Sequence, residues 1–305
     1  MNHPDSERLD GMADPPTPMR RLMRQAGRIR NVPNVLAAHG VPVSAQGWRQ
    51  AVNLHRLGRL RNRHRGGRGF VIGTGPSLTI EDLERLRGEV TIAPNRIYLA
   101  FEQTGWRPTY YAVVDEVVAE NNREVIRGLD LTKFYSREVA PILMPDPRAV
   151  VVRTLPNPPG QGERPGVGFS ANLKRGAHSG RSVTYLGLQI AAHLGLREVY
   201  LVGVDFAFSE GRRTGRHSPT SGEILISEGE QNHFHPDYRR PGEAWTAPDL
   251  ERQREAFACA RRYFESIGGR LVNASRRSRL EVLERADLEQ VLGMPGGWAG
   301  GGDRG

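Results

Sequence analysis

From residue 69 onward, short apolar runs alternate with amphipathic stretches. "FVI" (70–72), "VTIA" (90–93), "YYAVV" (110–114), "VVVRTL" (150–155) and "EVYLVGV" (198–204) read as strands, and "RLVNA" (270–274) as a last one. Ile80, Leu83 and Leu86 recur at helical spacing behind Thr79, with Asp82 placed to close a capping box and Gly88 to end the helix. Val183, Leu186, Ile190 and Leu194 form one stripe of a helix over about 182–194. Phe257, Ala260, Phe264 and Ile267 do the same over about 248–267, and "ADLEQVL" (286–292) predicts a short final helix. Strands that alternate with helices predict an α/β fold, a mostly parallel sheet with helices on both faces. Two stretches, 156–180 and 206–245, carry neither period. They are expected to be long lid-like loops over the carboxyl edge of the sheet, where open α/β sheets bind ligands.

The same pattern divides the chain of 305 residues. Residues 1–19 are polar and proline-bearing and are expected to be disordered. Residues 20–65 carry scattered apolar positions (Leu22, Val35, Leu36, Trp48, Val52, Leu57, Leu60) and predict a helical arm. The α/β domain spans 66–292, and the glycine-rich end, 293–305, is expected to be disordered.

Charge sharpens this division. The formal net charge is +9, and residues 1–68, with thirteen arginines, no lysine and four acids, account for all of it. From Pro15 to Ile80 there is no acid. Such an arm would suit an anionic membrane surface, or is simply a solvated face in a chain with only two lysines. Nucleic acid is not expected, because Trp48 is the one aromatic in the arm and stacking platforms use several. No run approaches 18 apolar residues and no signal-peptide pattern opens the chain, so a cytoplasmic protein is expected, with peripheral contact at the inner membrane face through the arm. Cys259 stands alone, which excludes an intrachain disulfide and a multi-cysteine zinc site.

The candidate chemistry begins at "GFVIGTGPSL" (69–78). A dinucleotide fingerprint would need a third glycine where Leu78 stands, and a phosphate loop of the Walker kind would need a lysine. What remains is strand, tight turn and helix start, where exposed amides and the positive end of the helix dipole suit a phosphate. Gly73, Thr74, Gly75, Pro76 and Ser77 are therefore candidate nucleotide-binding residues, against the alternative of a plain βα turn. Asn95, Asp115 and Asp205 fall at predicted strand ends, and Ser179, Gly180 and Ser182 with Thr184 offer a second cluster of donors, against ordinary capping by Ser182. In "NHFHPDY" (232–238), His233 and His235 could be an acid/base pair or phosphate contacts, could share a metal with Asp237, or could be structural.

"NRHRGGRGFVIGTGPSL", "NRIYLAFEQTGWRPTYYAVVDEVV", "SVTYLGLQIAAHLGLREVYLVGVDF", "NHFHPDY" and "LVNASRRSRLEVLERADLEQVL" together resemble the Rossmann-like group named for 6-hydroxymethylpterin diphosphokinase, the MptE-like family, over about Arg61 to Leu292. More distantly, "GLREVYLVGVDF" (195–206) and the glycine turn are similar to bacterial CMP-sialic acid sialyltransferases. That similarity implies nucleotide contacts at Gly73–Ser77 and Asn95, a phosphate at Ser179–Gly180, and a lid base at His233 or His235. Thr74 departs from it, since an asparagine stands there in those enzymes. The resemblances imply a nucleotide-dependent transferase, first a glycosyltransferase using a nucleotide-sugar donor in cell-surface glycan synthesis. The alternatives are a diphosphokinase, with Mg²⁺ on Asp115 and Asp205 as its cofactor, and a non-catalytic nucleotide-binding or scaffold protein.

Overall fold

The computed structural model describes residues 45–160, 164–218 and 222–294. The expected disordered N-terminus (1–19), most of the basic arm and nearly all of the glycine-rich tail lie outside the described residues. The chain forms two compact units, Met1–Gly58 and Arg59–Gly305. In the first, the described residues belong to a helix, Ala45–Leu60, which carries no acid in its first turn and Arg59 in its last.

The second unit is built on an eight-stranded sheet in which every pairing is parallel. Its strands are β1 (Arg68–Ile72), β2 (Val90–Pro94), β3 (Tyr110–Val113), β4 (Thr132–Ser136), β5 (Ala149–Val152), β8 (Glu198–Val202), β12 (Arg270–Asn273) and β13 (Glu284–Arg285), in the order β13-β12-β8-β1-β2-β3-β4-β5. β6 (Thr154–Leu155) and β7 (Ala177–His178) form a separate small ladder, so the expected strand over 150–155 breaks at Arg153. The chain winds outward from β1 to β5, then returns to β8 on the other side of β1. This is a Rossmann-like, doubly wound arrangement.

Alternation along the strands covers both faces. Phe70 and Ile72 of β1 join Tyr111, Val113, Tyr200 and Val202 in a core with Leu83 and Leu86, the residues that gave the first helix its period. Val71 points the other way, onto the helix Val183–His193, and Gly187 lets that helix come close: a Cβ there would lie 2.8 Å from Val71 Cγ1. The capping box forms as its spacing predicts, with the Asp82 amide donating to Thr79 Oγ1 and the Thr79 amide to Asp82 Oδ2.

Residues 206–245 are not the long loop the missing period predicts. β9 (Arg212–Ser218), β10 (Gly222–Ile226) and β11 (Ala244–Thr246) form a three-stranded antiparallel sheet in the order β11-β10-β9. β9 reads "RRTGRHS", whose arginines and glycine hide a strand that pairs with β10 at the edge of this sheet. The segment 156–180 is largely irregular, as expected.

Candidate functional site

β1 and β8 are neighbours, but the chain leaves them toward opposite edges of the sheet, which opens a crevice between their carboxyl ends. A cavity of about 450 Å³ lies there. Gly73, Thr74 and Gly75 border it after β1, Asn95 after β2, Asp115 after β3, Ser136 at the end of β4 and Asp205 after β8. Ser179, Gly180 and Ser182 close one side, and His233, Tyr238, Arg239 and Trp245 close another. The structure thus brings eleven of the singled-out residues to one cavity, Thr184 among them. Pro76, Ser77 and His235 do not border it.

The glycine turn is organised by β8 rather than left open. The Gly73 amide donates to the Val202 carbonyl at 2.7 Å and the Gly75 amide to the Gly203 carbonyl at 2.8 Å. The Ser77 amide donates to Asp205 Oδ2 at 2.8 Å, and its hydroxyl donates to Asp205 Oδ1. Pro76 has no N–H, so the protein's own carbonyls and carboxylate satisfy the donors at Gly73, Gly75 and Ser77. The glycines serve this approach: a Cβ on Gly75 would sit 2.7 Å from Asp205 Cγ. Burial pushes the Asp205 carboxyl up, and the bonds from Ser77 offset this in part.

The two histidines are used differently from the expectation of a base. His233 Nε2 lies 3.2 Å from Arg239 Nη2, and Nδ1 lies 3.1 Å from Thr74 Oγ1. A guanidinium only donates, so Nε2 holds the lone pair and Nδ1 the proton. The ring stacks on Tyr238 at 3.6 Å, and burial, then the Arg239 charge, push its pKa down to about 3. Both nitrogens are committed and the imidazole is a weak base at neutral pH, so His233 is neither poised to take a proton nor free for a metal. The reasons are burial and the arginine six residues on, which the pattern of histidines alone could not reveal. His235 caps the short turn Pro236–Tyr238, its Nδ1 accepting from the Asp237 amide at 3.1 Å.

The second donor cluster keeps its donors. Ser182 caps the helix Val183–His193, accepting from the Thr184 amide at 3.2 Å, while the amides of Ser182 and Val183 have no acceptor among the described residues. Gln253 Nε2 holds the Arg181 carbonyl at 2.8 Å and fixes this corner. Among the described residues four non-glycines have positive φ, and three of them border the cavity: Asn95 (φ 48°), Arg181 (φ 58°) and Phe206 (φ 53°). Such conformations cost on the order of 1–3 kcal/mol each and cluster at ligand sites. Buried polar atoms without partners gather here too, on Asn95, Ser136, His178, Arg239 and Trp245.

Ser136, His178, Arg239 and Trp245 were not visible as candidates in the sequence. Arg239 follows "NHFHPDY" directly, and its place beside that motif was the available signal. Ser136 closes β4, whose strand period is broken by a buried lysine.

The Asp115 and Asp205 pair does not fit a two-carboxylate Mg²⁺ site. Asp205 gives both oxygens to Ser77, and Asp115 Oδ1 accepts from the Val118 amide at 3.1 Å as a helix cap. Among the described residues no group of three or more His, Cys, Asp or Glu side chains is arranged to hold a metal. No helix among them is long and apolar enough to cross a membrane.

A model of the family described as 6-hydroxymethylpterin diphosphokinase MptE-like matches residues 48–211, over half of the 305 residues. The chain belongs to the MptE-like family. Among solved structures it is similar to the MAf glycosyltransferase from Magnetospirillum magneticum AMB-1, with 17% identity and a TM-score of 0.40, over 79% of this chain and 38% of that one. The MptE-like chain therefore spans well under half the length of that relative. No curated protein matches it.

Proposed function

We propose that this MptE-like protein is a nucleotide-dependent transferase whose donor lies in the cavity between the ends of β1 and β8. The observation that carries the reading is the convergence, at a topological switch point, of backbone strain and unpartnered buried polar atoms on one cavity. Proteins keep such features where a ligand completes the hydrogen bonding.

The finer reading is a glycosyltransferase with a nucleotide-sugar donor, acting in cell-surface glycan synthesis. The donor phosphate is carried by the free amides at the start of Val183–His193, supported by the helix dipole, and not by the Gly73–Ser77 turn, whose amides at Gly73, Gly75 and Ser77 are already engaged. Asn95 and Asp115 orient the ribose or sugar. The family description favours a second reading, diphosphate transfer from ATP to a hydroxymethylpterin, in which Asp115 would contribute one carboxylate oxygen to Mg²⁺.

Thermal shift with CMP, CDP, UDP and ATP, each with and without Mg²⁺, separates these. Stabilisation by a pyrimidine nucleotide regardless of metal supports the glycosyltransferase, and stabilisation by ATP only with Mg²⁺ supports the diphosphokinase. No stabilisation at millimolar concentration overturns both and leaves a scaffold. The arginine-rich arm is proposed to hold the enzyme at anionic lipid. A chain lacking residues 20–65 should then lose liposome binding at low salt, and undiminished binding disposes of that role.

A further inference from the structure

The chain leaving β8 runs along the cavity as a short strap, residues 203–209, and its backbone is fastened at several points. The Val204 amide donates to Ser275 Oγ at 2.9 Å, and the Val204 carbonyl accepts from Ser278 Oγ at 2.7 Å. The Asp205 carbonyl accepts from the Arg279 amide at 2.8 Å. Phe206, at φ 53°, packs its ring edge-on against Phe257 of the helix Leu250–Ser266. Beyond it the buried Asn232 clasps Ser209 twice. The Ser209 amide donates to Asn232 Oδ1 at 2.7 Å, and Asn232 Nδ2 donates to the Ser209 carbonyl at 2.8 Å.

Phe208 sits between these fastenings. It borders the cavity, keeps 38% of its surface, and makes no ring contact among the described residues. The other two large apolar side chains left this exposed, Val125 and Met294, do not border the cavity. A single exposed apolar side chain on an open surface is ordinary. A phenyl presented to a ligand-sized cavity by a braced backbone is different, because little freedom is lost when a planar group binds on it. One helix also ties this strap to the free amides of the second donor cluster. Gln253 of Leu250–Ser266 holds the Arg181 carbonyl at 2.8 Å, and Phe257, one turn on, carries Phe206.

We infer that Phe208 is the platform on which the nucleobase of the donor stacks while its phosphate lies on the Ser182 and Val183 amides. This rests on the reading that the cavity takes a nucleotide, and it gives the base a place. Every nucleobase has a π-face, so the contact supplies affinity for a base and does not by itself choose which one.

The experiment is isothermal titration of the full chain with the most stabilising nucleotide of the panel. Phe208→Ala should weaken binding about 10- to 100-fold, the loss of one base–aromatic stack. Phe208→Tyr, which keeps the flat face, should bind as the wild type does. Phe208→Leu, which keeps apolar bulk without a π-face, should bind well below Phe208→Tyr. Should the alanine variant fail to fold, the leucine and tyrosine pair decides. Unchanged affinity in Phe208→Ala or Phe208→Leu overturns the inference while the nucleotide reading stands. Equal losses in all three variants also overturn it, since the ring face would then not be what binds. A wild type that binds no nucleotide of the panel sinks the reading itself, and this inference with it.

Discussion

Gly75→Ala tests whether the glycine turn is built for packing or for a ligand. Gly75 is outside the left-handed region, so alanine can adopt its conformation and the cost comes from contact alone. Its new Cβ would lie 2.7 Å from Asp205 Cγ, 2.8 Å from the Gly203 oxygen and 2.9 Å from Asp205 Oδ2. Ordinary contact to such atoms begins near 3.4 Å, so the segment after β8 must retreat by several tenths of an ångström. That retreat stretches the Gly75 amide bond to Gly203 and draws Asp205 from Ser77. Overpacking of this kind costs about 1–3 kcal/mol. For a domain of this size each kcal/mol moves Tm by about 2–4 °C, so the ligand-free protein should melt roughly 2–12 °C lower. Differential scanning calorimetry without nucleotide is the assay, with Gly128→Ala as control, since a Cβ there meets nothing within 4 Å. If Gly75→Ala melts with the wild type while the control is silent, the close β1–β8 approach is not what requires the glycine, and the open phosphate cradle returns.

Two further predictions follow from titrating groups. His233 has a folded pKa of about 3 against 6.5 for a free imidazole, so the unfolded chain binds its proton more tightly. Its contribution to stability is complete above pH 6.5 and is lost as pH falls, by roughly 1.4 kcal/mol per unit down toward the folded value. Urea unfolding at pH 7.5 and 5.5 should show His233→Gln with the shallower dependence, and equal slopes would contradict the buried neutral ring. Lys133, wholly buried in β4, donates to Asp146 Oδ2 at 2.8 Å, and Tyr135 donates to the same oxygen at 2.6 Å. Burial alone would raise the Asp146 carboxyl, but the bonds from Lys133 and Tyr135 prevail and hold it low. Asp146→Ala strands the ammonium and should cost about 3–5 kcal/mol in chemical denaturation, whereas a loss under 1 kcal/mol would mean the lysine escapes to water.

The fold was legible wherever burial is apolar. β1, β2, β3, β8 and β12, and the helices beginning at Ile80, Val183 and Leu250, announce themselves by period, and with them the parallel sheet. β4 was missed because its second residue is the buried Lys133, a charge that Asp146, thirteen residues on, makes acceptable inside a sheet. β9 was missed because an edge strand with arginines on its open side has no two-residue apolar period. At the cavity, the strand-end residues Asn95, Asp115 and Asp205 were readable because a parallel sheet sends all its carboxyl ends to one edge. Their work was not. Asp205 turns inward to hold Ser77, and Arg239 takes the lone pair that His233 would need to act as a base. Both are pairings between distant elements or across a folded strap, and spacing along the chain carries no information about them.

The central claim is that an anionic donor sits at the start of Val183–His193, with Asp205 still on Ser77. A crystal structure of the protein soaked with the most stabilising nucleotide measures this directly. The account predicts phosphate density within hydrogen-bond distance of the Ser182 or Val183 amide, and an unmoved Asp205. Phosphate on the Ser77 amide with Asp205 displaced, or a nucleotide bound outside the cavity, would contradict it.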